Sequence, residues 1–212
     1  MIDHKKIKKR LISFAVSIAA VFAASASAYA EQSPMDWAVE SGIIVGMDDG
    51  QPHPEGEITR AQLAAMIIRF ADPEPSGATR HYYDVHESDW FCPYVESVSA
   101  AGIMVGDGDY WRPHADVTRE EAITTVVRAL GLELTDTVPV FSDTDMVSAW
   151  ADIYIDTATE YELIDTSDKL RPHDIMKRGE LAELLYNSKN LTNGTSLMPI
   201  VDGDGSAWTP IY

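Results

Sequence analysis

Val117-Thr118-Arg119-Glu120-Glu121-Ala122 decides the fold, because the chain contains it three times. Ile58-Thr59-Arg60-Ala61-Gln62-Leu63 stands upstream and Met176-Lys177-Arg178-Gly179-Glu180-Leu181 downstream. Arg60, Arg119 and Arg178 are separated by 59 residues and again by 59. Pro54, Pro113 and Pro172 keep the same step, as do Asp84, Asp143 and Asp202. Trp90, Trp150 and Trp208 follow it with one-residue slips. Four residue types on one step mark an internal repeat, which fixes the architecture before any single motif is weighed.

Each repeat reads as helix, loop, helix. In the second, Tyr94, Val95, Val98 and Ala101 have helical spacing within 90–101, and Gly102 supplies a left-handed stop. A turn at Gly106-Asp107-Gly108-Asp109 follows, and Thr118 with Glu121 forms a capping box for a helix ending near Leu130. The first repeat has the same box in Thr59 and Gln62, with Leu63, Met66, Ile67 and Phe70 as its apolar stripe. In the third, Lys177 replaces the capping threonine and offers no acceptor. A weaker helix start there, or one capped by Asp174, is expected. The loop 165–169 is also shorter.

The N-terminus reads as a secretory signal peptide. Lys5, Lys6, Lys8, Lys9 and Arg10 precede the apolar run Leu11 to Ala24, and Ala28-Tyr29-Ala30 fits a cleavage site. An uncleaved anchor is disfavoured because the run is short for a span of roughly 20 residues. Cleavage after Ala30 would leave 11 basic and 33 acidic side chains, a formal charge of −22. Such a surface repels nucleic acid and anionic lipid, so an anionic ligand has to be held by a few placed arginines. Cys92 is the only cysteine, excluding an internal disulfide, and reads as a small buried residue.

The aromatic-x-Asp openings (Tyr82-Tyr83-Asp84, Phe141-Ser142-Asp143), the Gly-Ile-x-x-Gly turns (42–46, 102–106) and the Thr-Arg-Ala-Glu-like elements together resemble the S-layer homology (SLH) domain family. The resemblance covers nearly all of the chain after residue 30. It implies a mainly α fold: three helix-loop-helix repeats in a pseudo-threefold spindle around a central three-helix bundle. The expected division is a signal peptide at 1–30, repeat 1 at 31–77 lacking its opening half, repeat 2 at 78–137, repeat 3 at 138–190 and a tail at 191–212. The tail has two readings. Asp202 and Trp208 complete the first repeat, or they begin a truncated fourth.

The resemblance also implies grooves that hold a secondary cell-wall polysaccharide, in many members through a pyruvylated amino sugar, or modified peptidoglycan. A pyruvyl ketal carries a carboxylate, which arginine matches with two parallel donors. Arg60, Arg119 and Arg178 at N1 would stand beside free backbone N–H groups that favour an anion. Gly46 and Gly106 would admit backbone donors. Asp84, Asp143 and Asp202 would accept from sugar hydroxyls, hold an arginine, or cap the first helix. Trp90 and Trp150 are candidate sugar platforms, with core anchoring the preferred reading.

His53, His114 and His173 lie one per repeat without paired ligand spacing, and no cofactor is expected. Asp107-Gly108-Asp109 is read as turn chemistry rather than a calcium loop. No nucleophile elbow, zinc-protease signature or phosphate loop is present, so the expectation is a non-enzymatic cell-wall module. An acidic adaptor binding a protein partner is the alternative of another class, and a cryptic glycan hydrolase is a second.

Overall fold

The computed structural model describes residues 32–45, 49–73, 81–137, 141–166 and 169–191. The N-terminal segment, Gly46, Asp202, Trp208 and the proposed tail closure lie outside them. Six α-helices are described: α1 Pro34–Glu40, α2 Arg60–Ala71, α3 Cys92–Ala100, α4 Arg119–Leu130, α5 Asp152–Glu160 and α6 Arg178–Ser188. Among the described residues extended pairing is confined to isolated bridges.

The helices form where the sequence places them. Thr59 accepts from the Gln62 N–H while the Gln62 side chain accepts from the Thr59 N–H, closing the predicted box. Thr118 and Glu121 repeat this at α4, and Gly131 ends it at φ 59 in the left-handed region. Leu63, Ile67, Ile123, Val126, Leu181 and Leu185 are buried on the inner helices. The outer helices pack cyclically: α3 lies on α2, α5 on α4, and α1 on α6, while α4 also packs on both α2 and α6. The first repeat therefore does carry an outer helix, α1. The aspartate supplied elsewhere by Asp84 and Asp143 has no counterpart in it among the described residues.

The start of α6 departs from expectation. Lys177 can close only half a capping box, its backbone N–H donating to the Glu180 carboxylate at 3.1 Å, because an ammonium has no lone pair for the helix. Asp174 does not cap it. Instead Arg178 N–H donates to the Gly56 carbonyl at 2.8 Å and Gly179 N–H to Pro54 at 2.7 Å. The other inner helices begin alike: Arg60 and Ala61 donate to Ala115 and Pro113, and Arg119 and Glu120 to Asp174 and Pro172. Each helix start is thus satisfied by the loop of the next repeat, and the third is satisfied by the first. A Cβ on Gly179 would stand 3.0 Å from the Pro54 oxygen, which explains glycine where the other repeats have Ala61 and Glu120.

Candidate functional site

The 59-residue step places one arginine in each of three clefts between repeats. The first is a pocket of about 410 Å³ lined by Arg60, Gly106, Asp107, Trp111, Arg112, Thr124, Arg128 and Trp150, among others. The second, about 180 Å³, is its repeat-equivalent, with Arg119, Asp165, Arg171, Glu180, Glu183 and Asn187. Arg178 faces a third cleft lined by Asp49, His53, Glu55 and Glu57. The first two carry an arginine beside another at the mouth, whereas the third, about 760 Å³, has Arg178 as its one arginine among the described lining residues and is otherwise acidic. The first and the third are within the ordinary size range of a ligand pocket.

Free N–H groups at N1 are not there to assist these arginines, since the neighbouring loops occupy them. The side chains differ from one another. Arg60 donates from Nε to the Trp111 carbonyl at 3.0 Å and from Nη2 to Val105 at 2.8 Å, with its guanidinium 4.7 Å over the Trp111 ring. Both acceptors are neutral, so its charge meets no carboxylate in an ion pair among the described residues. Desolvation pulls its pKa below the ordinary value, with Glu121 opposing, and the group stays protonated. Arg119 keeps the equivalent bond to Leu170 at 2.8 Å, but Nη1 is paired with Glu180 at 2.8 Å. Arg171 is bound to the same Glu180. Desolvation of Glu180 is outweighed by the Lys177 N–H and by Arg119 and Arg171, and its pKa is lowered. The second cleft is therefore neutralised from within. Arg178 is buried and its Nε has no hydrogen-bond partner among the described residues.

The aspartates brace the clefts from behind. Asp84 accepts from the N–H groups of Trp111 and Arg112 at 2.8 and 2.7 Å, and Asp143 from Leu170 and Arg171 at 2.9 Å each. Burial of Asp143 would raise its pKa, yet the two N–H donors hold it lowered. These carboxylates fix a loop in which Arg112 and Arg171 take φ of 58° and 54°; His53, one step earlier, takes 47°. The left-handed residue projects each arginine to the cleft mouth. Gly106 does not offer its N–H outward: it donates to the Tyr82 hydroxyl at 3.3 Å. Glycine is needed there because a Cβ would stand 2.4 Å from the Tyr110 oxygen.

Trp90 is not a core anchor. It is 57% exposed, edge-on to Phe91 and Tyr94; fully buried Trp111 anchors the core instead. Trp150 lines the first cleft. Arg69 and Arg128 lie 5.2 and 4.7 Å over Tyr94 and Tyr154 and are 59 apart, a pair the repeat step would have exposed; Asn187 stands at the third position. Buried Glu120 was also missed: it accepts from Ser148 N–H and Oγ at 3.0 and 2.7 Å, pinning the third repeat to α4. Burial pushes the Cys92 thiol up, with Glu96, Glu87 and Asp89 adding to it.

A family model for the S-layer homology domain matches residues 23–64, 81–123 and 140–182. The chain belongs to the S-layer homology domain family.

These SLH repeats are similar to parts of larger proteins. An "Exoglucanase XynX" of Acetivibrio thermocellus is 30% identical over 158 residues, 71% of this chain and 14% of that protein. A "Surface layer protein" of Brevibacillus choshinensis is 32% identical over 148 residues, 62% of this chain and 13% of that one. A "Middle cell wall protein" of Brevibacillus brevis is 26% identical over 200 residues, 87% and 18%. The chain thus spans under a fifth of the length of these relatives. SLH membership and the surface-layer and cell-wall relatives indicate cell-wall or S-layer association. Among the described residues no helix is long and apolar enough to cross a membrane.

Proposed function

We propose that this chain is a non-catalytic anchoring module that binds an anionic cell-wall polysaccharide, a pyruvylated one foremost, in its first inter-repeat cleft. The observation that carries this reading is the state of Arg60. Its charge is held in place by two carbonyls and, among the described residues, forms no ion pair, with Glu121 acting on it from across the cleft, inside a protein of formal charge −18. Arg112, 61% exposed at the mouth, is matched by Asp107. Beside Arg60, Trp111 Nε1 and Thr124 Oγ1 are buried without partners among the described residues, and both residues line the cleft. Such orphaned groups call for a polar ligand or water.

A carboxylate on a sugar ring would take the remaining Arg60 donors, and Trp150 offers an apolar surface to the ring. Sedimentation with cell walls tests this, before and after extraction of the wall polysaccharide and after mild acid removal of pyruvyl ketals. Binding should disappear with extraction and fall at least tenfold with ketal removal. Undiminished binding to extracted walls would overturn polysaccharide recognition and favour an adaptor role.

A further inference from the structure

Tyr83 and Tyr110 are 73% and 54% exposed, with ring centroids 5.9 Å apart and planes tilted by 59°. Both stand on clamped backbone. Tyr83 N–H donates to the Asp109 carbonyl at 2.9 Å, and Asp107 and Tyr110 exchange bonds of 2.8 and 3.2 Å. Their neighbours Asp84 and Trp111 are joined to each other at 2.8 Å. A lone surface aromatic needs no explanation, but two rings fixed side by side in water do.

The fold does not require them. On the 59-residue step the third repeat has Ser142 and Lys169 in their places, and the first has Gln51 for Tyr110. The third repeat nonetheless keeps the aspartate clamp, with Leu170 buried in place of Trp111. The aromatic pair is thus an addition to the second repeat alone. It is also well placed, since Asp107, Trp111 and Arg112, on both sides of Tyr110, line the first cleft.

We propose that Tyr83 and Tyr110 form a stacking subsite for an uncharged pyranose ring at the mouth of the first cleft. The C–H face of a pyranose is apolar and covers an aromatic ring with a reduced ordering cost, because the two rings already pack on each other over clamped backbone. Its equatorial hydroxyls would meet acceptors in the exposed carboxylates of Asp107 and Asp109. Arg112 compensates Asp107, so the Asp109 carboxylate is the one that disfavours an anionic ring at the tyrosines and favours a neutral unit. The pair is too small a surface for a stable protein interface. The subsite rests on the glycan-binding reading and lengthens it: a neutral sugar at the tyrosines beside a charged one at Arg60.

The test is proton NMR of a neutral probe, the β-1,4-linked tetramer of N-acetylglucosamine, with the full chain. Stacking shifts the probe's ring C–H protons upfield. The shift should persist in Tyr83→Phe/Tyr110→Phe and in Arg60→Ala. Tyr83→Ala/Tyr110→Ala should abolish it, with affinity about tenfold weaker. No shift with the wild-type chain, or a shift surviving the double alanine variant, would overturn the subsite. Self-association that vanishes in the alanine variant while the probe is indifferent would also overturn it. Wall sedimentation run in parallel separates the two readings. Stacking without wall binding defeats the anchoring role alone, and wall binding without stacking defeats this subsite alone.

Discussion

The backbone N–H of Ile58 donates to the carbonyl of Met176 at 3.2 Å, joining the first repeat to the third. Met176 N–H donates in turn to Val117 at 2.8 Å, and Val117 N–H to Ile58 at 3.2 Å. Three residues on one 59-residue step thus close a ring of hydrogen bonds, and all three side chains are buried. The bridges Thr59–Asp116, Thr118–Ile175 and Lys177–Glu57 flank it. The clefts are the spaces between repeats locked at this ring. Closure predicts that the amides of Ile58, Val117 and Met176 exchange together, near the rate of global unfolding. Hydrogen exchange resolved by residue checks this; Ile58 exchanging far faster than Val117 would mean the ring is open.

Gly179→Ala probes the tightest joint. The added Cβ meets the Pro54 carbonyl at 3.0 Å, and backbone cannot rotate away as a side chain can. A loss of about 1–2 kcal/mol is expected from overpacking. Gly106→Ala, with contacts of 2.4 and 2.5 Å, should lose more, about 3 kcal/mol. Urea midpoints measure both, and the order of the two effects is the prediction.

Asp143→Ala leaves the Leu170 and Arg171 N–H groups without their acceptor. The expected cost is about 3 kcal/mol, from two hydrogen bonds to a charged group. Asp143→Asn, which keeps one acceptor oxygen, should lose about half of that. Asp84→Ala should act the same way on the loop of the first cleft and weaken wall binding as well.

Acid should unfold the protein through these carboxylates. Asp143 and Glu180 both have folded pKa values below their ordinary 3.8 and 4.5. Their stabilisation is present above those ordinary values and is lost as pH falls through the lowered ones. Asp156 has the opposite sign. Burial raises its carboxyl, and Asp152 and Asp136 add to this against the Thr137 N–H. Its ionised form is therefore disfavoured in the fold at neutral pH. Asp156→Asn should raise the melting temperature at pH 7 by a few degrees, and the gain should shrink on acidification. Melting curves from pH 7 to pH 2 test both signs.

The repeat was legible because its marks are side chains on one step: Arg60, Arg119 and Arg178, and the boxes at Thr59 and Thr118. The ring was not, because Ile58, Val117 and Met176 meet through backbone groups that every residue carries. The aspartates were found but their partners were not, since Trp111 and Arg112 are met at their N–H groups. The left-handed turns at Arg112 and Arg171 were hidden by non-glycine residues. Trp90 misled because a tryptophan beside Phe91 looks like core; Phe91 is buried and Trp90 is not. The difference between Arg60 and Arg119 rests on where Glu180 reaches, and spacing cannot report that.

That difference tests the account most directly. Wall sedimentation of Arg60→Ala and Arg119→Ala, each checked for an unchanged melt, compares an arginine that forms no ion pair among the described residues with one already paired with Glu180. Arg60→Ala should weaken binding at least tenfold, and Arg119→Ala by no more than about twofold. Equal losses, or full binding by Arg60→Ala, would contradict the assignment of the first cleft as the working site.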